Sequence, residues 1–316
     1  MDLEPEQLQY LRIPSILRES VGIPGRSPRT FFLITLTLVF PLSFAILAHS
    51  LFTHPLLSHL SSRSPSHDLT LILTFQSFYL LFLFTFSLLS TASVVFSVAS
   101  LYSSKPLSFS SALSSIPSIF RRLFLTFLWV ALLMIAYNIV LVAFFVVLLI
   151  ALDDNNPLLV LLSLSVILFL FLGVHVYITA LWHLASVVSV LEPVYGLAAM
   201  RKSYELLKGR VWMGWSLVFW YLFICGVING LFGGVVVHGD EYGYGIFMRI
   251  LVGGLLVGIL VMVNLIGLLV QSVFYYVCKS YHHQSIDKLA LNDHLGGYLG
   301  EYVPLKSSIQ MENLDM

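Results

Sequence analysis

The sequence predicts an all-α, polytopic membrane protein with six transmembrane helices. Of its 316 residues, 58% are hydrophobic and only 10% are charged, against about 25% charged residues in an ordinary soluble protein. Six stretches contain no Asp, Glu, Lys or Arg, and each exceeds the roughly 20 apolar residues that cross a bilayer core. This composition excludes a soluble enzyme, a nucleic-acid-binding protein and a disulfide-stapled secreted domain. The six stretches cover residues 30–62, 69–104, 123–152, 155–191, 211–239 and 250–278.

The basic residues are concentrated in alternate loops, and this distribution predicts the orientation of the chain. Most of the 16 Lys and Arg residues lie in the N-terminal segment, the second loop, the fourth loop and the tail. The other loops hold only Arg63 and Arg249. Because short basic loops stay on the cytoplasmic side, we expect both termini to be cytoplasmic.

The chain divides into three parts along the sequence. We expect residues 1–29 to form a cytoplasmic amphipathic segment, residues 30–279 a six-helix transmembrane domain, and residues 280–316 a cytoplasmic tail. Span length permits helix tilt and is compatible with both an endomembrane and the plasma membrane.

A cytoplasmic surface helix is predicted over residues 194–208, between spans 4 and 5. Apolar residues recur there at helical spacing, so the helix is expected to lie along the membrane surface. Weaker versions of the pattern precede spans 1 and 3, and we interpret the chain as three tandem units of a surface helix and a transmembrane hairpin. The predicted apolar face comprises Leu197, Met200, Tyr204 and Leu207, and the predicted polar face comprises Arg201, Lys202, Glu205 and Lys208.

The same region contains a candidate cytoplasmic motif. Glu192 ends span 4, and Arg201 or Lys202 is close enough in sequence to fold back to it. Gly209 follows the predicted helix at a position where glycine commonly ends a helix. The motif comprises Glu192, Arg201, Lys202, Ser203, Lys208, Gly209 and Arg210.

Three polar residues fall near the middle of different spans: Asn138 in span 3, His175 in span 4 and Asn264 in span 6. Polar side chains are costly in hydrocarbon and usually turn inward, so we expect a cluster at one depth. Interhelical hydrogen bonding is the favoured interpretation, and a substrate or proton site at the bilayer midplane is the alternative. The predicted spans contain no Asp, Glu, Lys or Arg, which argues against an ion-coupled pump.

Glycines spaced four residues apart in spans 5 and 6 predict close helix packing, because small residues let two helix backbones approach. The favoured partner is another helix of the same chain, and a homodimer is the alternative. These helix-packing glycines are Gly226, Gly230, Gly234, Gly254 and Gly258.

The sequence indicates no catalytic residue, no cofactor-binding residue and no metal ligand. It lacks the G-x-x-x-x-G-K-[ST], H-E-x-x-H and G-x-S-x-G motifs of nucleotide, zinc and serine-hydrolase chemistry. His282 and Asp287 have the H-x4-D spacing of glycerolipid acyltransferases, but no second acyltransferase motif accompanies them.

Four segments form recognisable motifs: MDLEPEQLQYL, ILRES, EPVYGLAAMRKSYELLKGRVWMGW and HLGGYLGEYVPLKSS. Together they resemble a plant family of uncharacterised six-span membrane proteins. A second, more distant resemblance is to the membrane domain found beside some bacterial glycerophosphodiester phosphodiesterases. That resemblance implies the fold alone, since the phosphodiesterase chemistry belongs to a soluble partner domain. It is carried by Glu192, Ala199, Arg201, Ser203, Leu206, Gly209 and Arg210.

We therefore expect a non-enzymatic multi-pass protein that organises lipid or a protein partner at its cytoplasmic face. Its expected partners are the lipid bilayer and a cytoplasmic protein, with a second copy of the chain as the alternative partner of the glycine faces and no nucleic acid. A facilitator or transporter of a neutral or amphiphilic solute is the alternative, and an intramembrane lipid enzyme is the third interpretation.

Overall fold

The computed structural model describes residues 10–60, 65–103, 109–114, 116–151 and 157–283. Within these residues all regular structure is helical. Two short π-helical segments occur: Thr35–Val39 lies within the first long helical segment, and Gly233–Val237 ends the fifth. The α-helices are α1 (Ile13–Arg26), α2 (Pro28–Ile34), α3 (Phe40–Leu60), α4 (Pro65–Tyr102), α5 (Phe109–Ser114), α6 (Ile116–Ala151), α7 (Pro157–Leu191), α8 (Leu197–Leu207), α9 (Val211–Phe232) and α10 (Ile246–Tyr281).

Six helical segments are long and apolar enough to cross a membrane, so the predicted fold class is confirmed. We call them spans 1 to 6, and each overlaps one of the charge-free stretches of the sequence. Their bounds are Pro28–Thr53, Thr70–Tyr102, Ile119–Leu148, Leu161–Leu191, Val211–Val237 and Ile246–Tyr281.

Span 6 is the central helix of the bundle. Its last third is buried on every side, from Leu269 to Cys278, as expected of a helix surrounded by other helices. It packs against α1, α3, α4, α7, α8 and α9. Span 2 is also buried on every side over residues 90–100, where serine, threonine and alanine let neighbouring helices come close.

Spans 3 and 4 contact each other, and in the half of the bundle remote from α8 many of their side chains are exposed. The hydroxyl of Tyr137 in span 3 donates to the carbonyl oxygen of Phe171 in span 4, at 2.7 Å. This bond fixes the two helices side by side while much of their surface faces outward.

Pro41 in span 1 lies just after the first π-helical segment. A proline has no N–H to donate to the carbonyl four residues earlier, here that of Thr37, and its ring crowds that carbonyl. The wider π-helical turn accommodates this local defect, and the helix then continues without a break into α3.

Short helices precede spans 1, 3 and 5, as the sequence predicts, and the tandem-repeat interpretation itself stays a prediction. The helix α8 contacts α6, α7 and α10. It buries Ala199, Ser203 and Leu206 almost completely. The side that packs on the bundle thus includes residues outside our predicted apolar face, and the contact of that face with the membrane surface stays a prediction. The predicted face divides into buried Leu207, half-buried Met200, and exposed Leu197 and Tyr204.

Cysteines introduced at Asp240 and Lys208 are expected to react from opposite sides of the membrane. Both positions are exposed, one between spans 5 and 6 and the other just after α8. In a Cys225→Ala background, an impermeant maleimide added to intact cells should label Asp240→Cys. Lys208→Cys should react only after permeabilisation, because basic loops stay cytoplasmic. The background without an added cysteine is the control, and the reversed pattern would contradict the orientation.

Candidate functional site

A cavity of about 520 Å³ lies among the spans, and all six contribute to its wall. Native protein interiors contain few voids larger than a water molecule, whereas ligand pockets are typically about 300–1,000 Å³. The wall is mostly Leu, Val, Phe and Ala, and among the described residues no charged side chain lines it. Its size and lining are those of a site for an apolar molecule.

The cavity occupies the half of the bundle next to α8. Its lining in span 5 runs from Gly214 to Leu222, and its lining in span 6 runs from Asn264 to Phe274. Because α8 leads into the start of span 5, Gly214 lies at the near end of the cavity. Asn264, at the middle of span 6, lies at the far end.

Polar side chains interrupt the apolar wall at several points, including serines and threonines of spans 2 and 4. Three of the polar side chains lie together, Trp182, His183 and Gln271, and we call them the polar group. His183 Nδ1 and Gln271 Oε1 are 2.7 Å apart and join span 4 to span 6. The Trp182 ring stacks beside the His183 ring, with 5.4 Å between centroids. Its indole Nε1 is buried and has no hydrogen-bond partner among the described residues.

A second polar contact closes the far end of the cavity. The Asn264 side chain, 6% exposed, donates from Nδ2 to Ser43 Oγ at 2.8 Å. Its Oδ1 accepts a hydrogen bond from the Tyr221 hydroxyl at 2.9 Å. The amide thereby joins spans 1, 5 and 6 at one point.

Glu192 forms an ionic cluster at the end of span 4, which we call the Glu192 cluster. Glu192 is 8% exposed, and its carboxylate forms ion pairs with Lys202 of α8 and Lys279 of span 6. It also accepts a hydrogen bond from the Tyr275 hydroxyl at 2.5 Å. Burial alone would raise the pKa of Glu192, but the bonds from Lys202 and Tyr275 and the charge of Lys279 outweigh it. The pKa therefore lies below its ordinary value.

The turn after α8 is fixed against the end of span 6. Gly209 has a φ of 85°, and a Cβ at this position would lie 2.7 Å from the Tyr281 ring. The guanidinium of Arg210 sits over the same ring, 4.6 Å from its centroid. His282 Nε2 contacts the carbonyl oxygen of Leu206 at 3.1 Å. These contacts and the Glu192 cluster attach α8 firmly to span 6.

A family model described as "Domain of unknown function (DUF8558)" matches residues 1–314 of the chain. The chain belongs to the DUF8558 family. No curated protein and no solved structure matches it. The DUF8558 match gives no link to plants or to the phosphodiesterase-associated membrane domain, so those two resemblances stay expectations.

The DUF8558 fold brings together only part of the candidate cytoplasmic motif. Of the two predicted partners of Glu192, Arg201 and Lys202, it is Lys202 that pairs with it. Gly209 and Arg210 both lie against the Tyr281 ring. Ser203 is buried and donates to the Ala199 carbonyl at 2.9 Å. The remaining two residues point outward: Arg201, which pairs with Glu205 at 3.5 Å on the exposed face, and Lys208.

The three polar residues near the span centres do not form the expected cluster. Asn138 is exposed and donates to the Met134 carbonyl of its own helix at 2.7 Å. His175 is half-buried, with its ring centroid 5.7 Å from that of Tyr137. Asn264 binds Ser43 and Tyr221 instead. The expectation was wrong because depth along a span does not determine which face of the helix carries the residue.

The spaced glycines of this DUF8558 protein lie on exposed helix faces. A Cβ at any of the five would meet nothing within 4 Å, so the expected packing against another helix of the same chain is absent among the described residues. Packing against a second copy stays a prediction. Within spans 5 and 6, the glycines that do lie against neighbouring side chains are Gly214, Gly253 and Gly267.

The acyltransferase spacing of His282 and Asp287 is not tested by the structure, and a further histidine, His49, joins two spans. Asp287, the partner of His282 in the acyltransferase spacing, lies outside the described residues. His49 belongs to α3, where its Nε2 lies 2.9 Å from Gln76 Oε1 of span 2. A second His–Gln contact thus joins spans 1 and 2, away from the cavity.

Asn264→Leu is expected to lower the free energy of unfolding by about 1 kcal/mol, since interhelical hydrogen bonds in membranes average about 0.6 kcal/mol and two are lost. Asn138→Leu is the matched control, because its amide bonds only to its own helix, and it should change stability little. Equilibrium unfolding in mixed detergent and SDS micelles measures both. Equal effects of the two variants would contradict the assignment of Asn264 as the amide that joins the spans.

Proposed function

We propose that this DUF8558 protein is a non-enzymatic, multi-pass membrane protein that holds a lipid or another neutral amphiphile between its spans. The observation that carries the proposal is the cavity of about 520 Å³. Predominantly apolar walls with a small number of polar groups are typical of sites that bind and orient a ligand. The absence of charged side chains from the described lining favours an uncharged ligand.

The surface of α8 supports the same proposal from outside the cavity. The helix exposes Leu197 and Tyr204 beside basic Arg201 and Lys208. Apolar and basic side chains on one short helix suit the boundary between acyl chains and anionic headgroups. With the basic loops on the cytoplasmic side, this boundary is that of the cytoplasmic leaflet.

The test is whether a lipid occupies the cavity. The full chain is purified in mild detergent, and native mass spectrometry counts the lipids that remain bound. Ala131→Phe fills the cavity from span 3, and Ala136→Phe adds the same ring to an exposed face of the same helix. A bound species lost from Ala131→Phe and retained by Ala136→Phe supports the proposal. The same lipid content in both variants and in the parent contradicts it.

A facilitator of amphiphile passage is the second candidate, favoured by the π-helical segment in span 1. Non-α turns within helices occur frequently at functional sites, and Leu42, which lines the cavity, follows this segment and Pro41 closely. Liposomes that contain the protein would then exchange a fluorescent long-chain alcohol between leaflets faster than empty liposomes. Equal exchange rates in liposomes with and without the protein would contradict the facilitator and favour a protein that binds the ligand without moving it across the bilayer.

A further inference from the structure

The polar group presents hydrogen-bonding atoms that the protein itself does not use. The amide oxygen of Gln271 faces the ring of His183 and can only accept, so Nδ1 carries the imidazole proton. The other ring nitrogen, Nε2, then offers a lone pair. Within the described part of the chain, neither this nitrogen nor the amide NH2 of Gln271 has a partner.

Trp182 and His183 are half-buried residues of the cavity wall. Gln271 is only 7% exposed and lines the cavity. Trp182, which also lines it, adds a buried indole N–H without a partner in the described residues. Buried polar groups in native proteins nearly always have hydrogen-bond partners. The polar group thus provides one acceptor and several donors for a molecule in the cavity.

We propose that the ligand is an uncharged lipid with a hydroxyl group at its polar end, and that the polar group binds this hydroxyl. The class includes long-chain alcohols, sterols and partial acylglycerols. A hydroxyl both donates and accepts, so it can give its proton to His183 Nε2 while its oxygen accepts from Gln271 or Trp182. This inference rests on the proposed function and names the class of ligand that the cavity takes.

Charged lipids do not fit this position. An ionised carboxylate or phosphate in an apolar cavity needs a countercharge, and without one its burial is very costly. Lys202 and Lys279, at the α8 end of the bundle, already pair with Glu192. A fatty acid with the same chain length as a bound alcohol should therefore bind much more weakly at neutral pH.

The experiment uses the full chain in phosphatidylcholine nanodiscs and three photoreactive probes with one diazirine-bearing C16 chain. The probes end in a hydroxyl, a methyl ether or a carboxylate. We expect saturable labelling of cavity residues by the alcohol. Half-saturation should be about threefold to tenfold weaker for the ether, which lacks the one donor, and at least tenfold weaker for the acid. Equal labelling by the ether or the acid would overturn the hydroxyl assignment and leave the proposed function standing. No saturable labelling by any probe would overturn both.

Trp182→Phe tests the polar group itself, because it removes one donor and keeps an aromatic ring. A single hydrogen bond contributes about 0.5–1.5 kcal/mol, so the affinity for the alcohol should fall about threefold to tenfold. Trp220→Phe is the matched control, since Trp220 is 57% exposed on span 5, and it should leave affinity unchanged. Gln271→Leu should weaken binding further. If Trp182→Phe binds the alcohol as the parent does, its indole takes no part and the proposed polar group is wrong.

Discussion

Glu192→Gln is expected to lower the free energy of unfolding by about 3 kcal/mol, the largest effect of any single substitution discussed for this protein. Removing one partner of a buried ion pair leaves the other charge uncompensated and costs about 3–5 kcal/mol. Here two lysines lose their countercharge, although both retain some access to solvent. That access places the expected effect at the lower end of the range.

Glu205→Gln is the matched control on α8. Its carboxylate pairs with Arg201 four residues earlier, and both side chains are well exposed, so the change should stay within about 0.5 kcal/mol. Unfolding in mixed detergent and SDS micelles gives both values. Adding Lys202→Met to Glu192→Gln should recover part of the loss, because the double variant removes a charge that the single variant stranded. Equal effects of Glu192→Gln and Glu205→Gln would contradict the ionic cluster.

The same carboxylate predicts how stability depends on pH. Because the pKa of Glu192 is lowered in the folded protein, its contribution is complete above the ordinary pKa of a glutamate. It is lost as pH falls from that value through the lowered pKa. Glu192→Gln should therefore flatten the acid side of the stability curve relative to the parent. A parallel curve, displaced without any change of shape, would mean that Glu192 does not titrate in this range.

Gly209→Ala is expected to cost about 2 kcal/mol or more. An alanine in the left-handed region costs about 1–2 kcal/mol relative to its preferred conformation, and its Cβ would also collide with the Tyr281 ring. A movement of the ring that makes room for this Cβ would disturb the contact with Arg210.

Gly226→Ala is the control for Gly209→Ala. Gly226 lies in a helix where a Cβ meets nothing within 4 Å, and alanine is favoured over glycine in helices by about 0.5–1 kcal/mol. This variant should be as stable as the parent or slightly more so. The same unfolding measurement compares the two. If Gly209→Ala were as stable as Gly226→Ala, the turn between α8 and span 5 would not be constrained as described.

The number and order of the spans follow from the sequence because a charge-free stretch of this length has few alternatives to crossing the bilayer. The sequence does not determine which face of each span packs inside the bundle. In a soluble helix an apolar stripe marks the core, whereas here lipid and core are both apolar. Asn138 and Asn264 look equivalent in sequence, yet one is exposed and the other buried.

The candidate site was predictable only where its residues are neighbours in sequence. The pairing of Glu192 with Lys202 spans ten positions, and the sequence indicates it. Lys279 lies 87 residues from Glu192, and Gln271 lies 88 residues from His183. No local pattern links such pairs, since they meet only when span 6 packs at the centre. A glutamine and a histidine within otherwise apolar spans are the one sequence signal that points to the polar group.

The hydrogen bond between Asn264 and Ser43 also constrains the biogenesis of the protein. The two residues are 221 positions apart, so at synthesis rates of about 5–20 residues per second the partner of Ser43 is made roughly 11 to 44 seconds later. In the folded structure the Ser43 hydroxyl donates to the Val39 carbonyl of its own helix, at 2.8 Å, and this bond within one helix does not need Asn264. The first span can thus reside in the membrane before span 6 is made, with the Ser43 hydroxyl already hydrogen-bonded. The Tyr221 hydroxyl of span 5 also binds Asn264. Insertion of span 6 therefore completes the hydrogen bonds of Ser43 and Tyr221 with Asn264 at the same time.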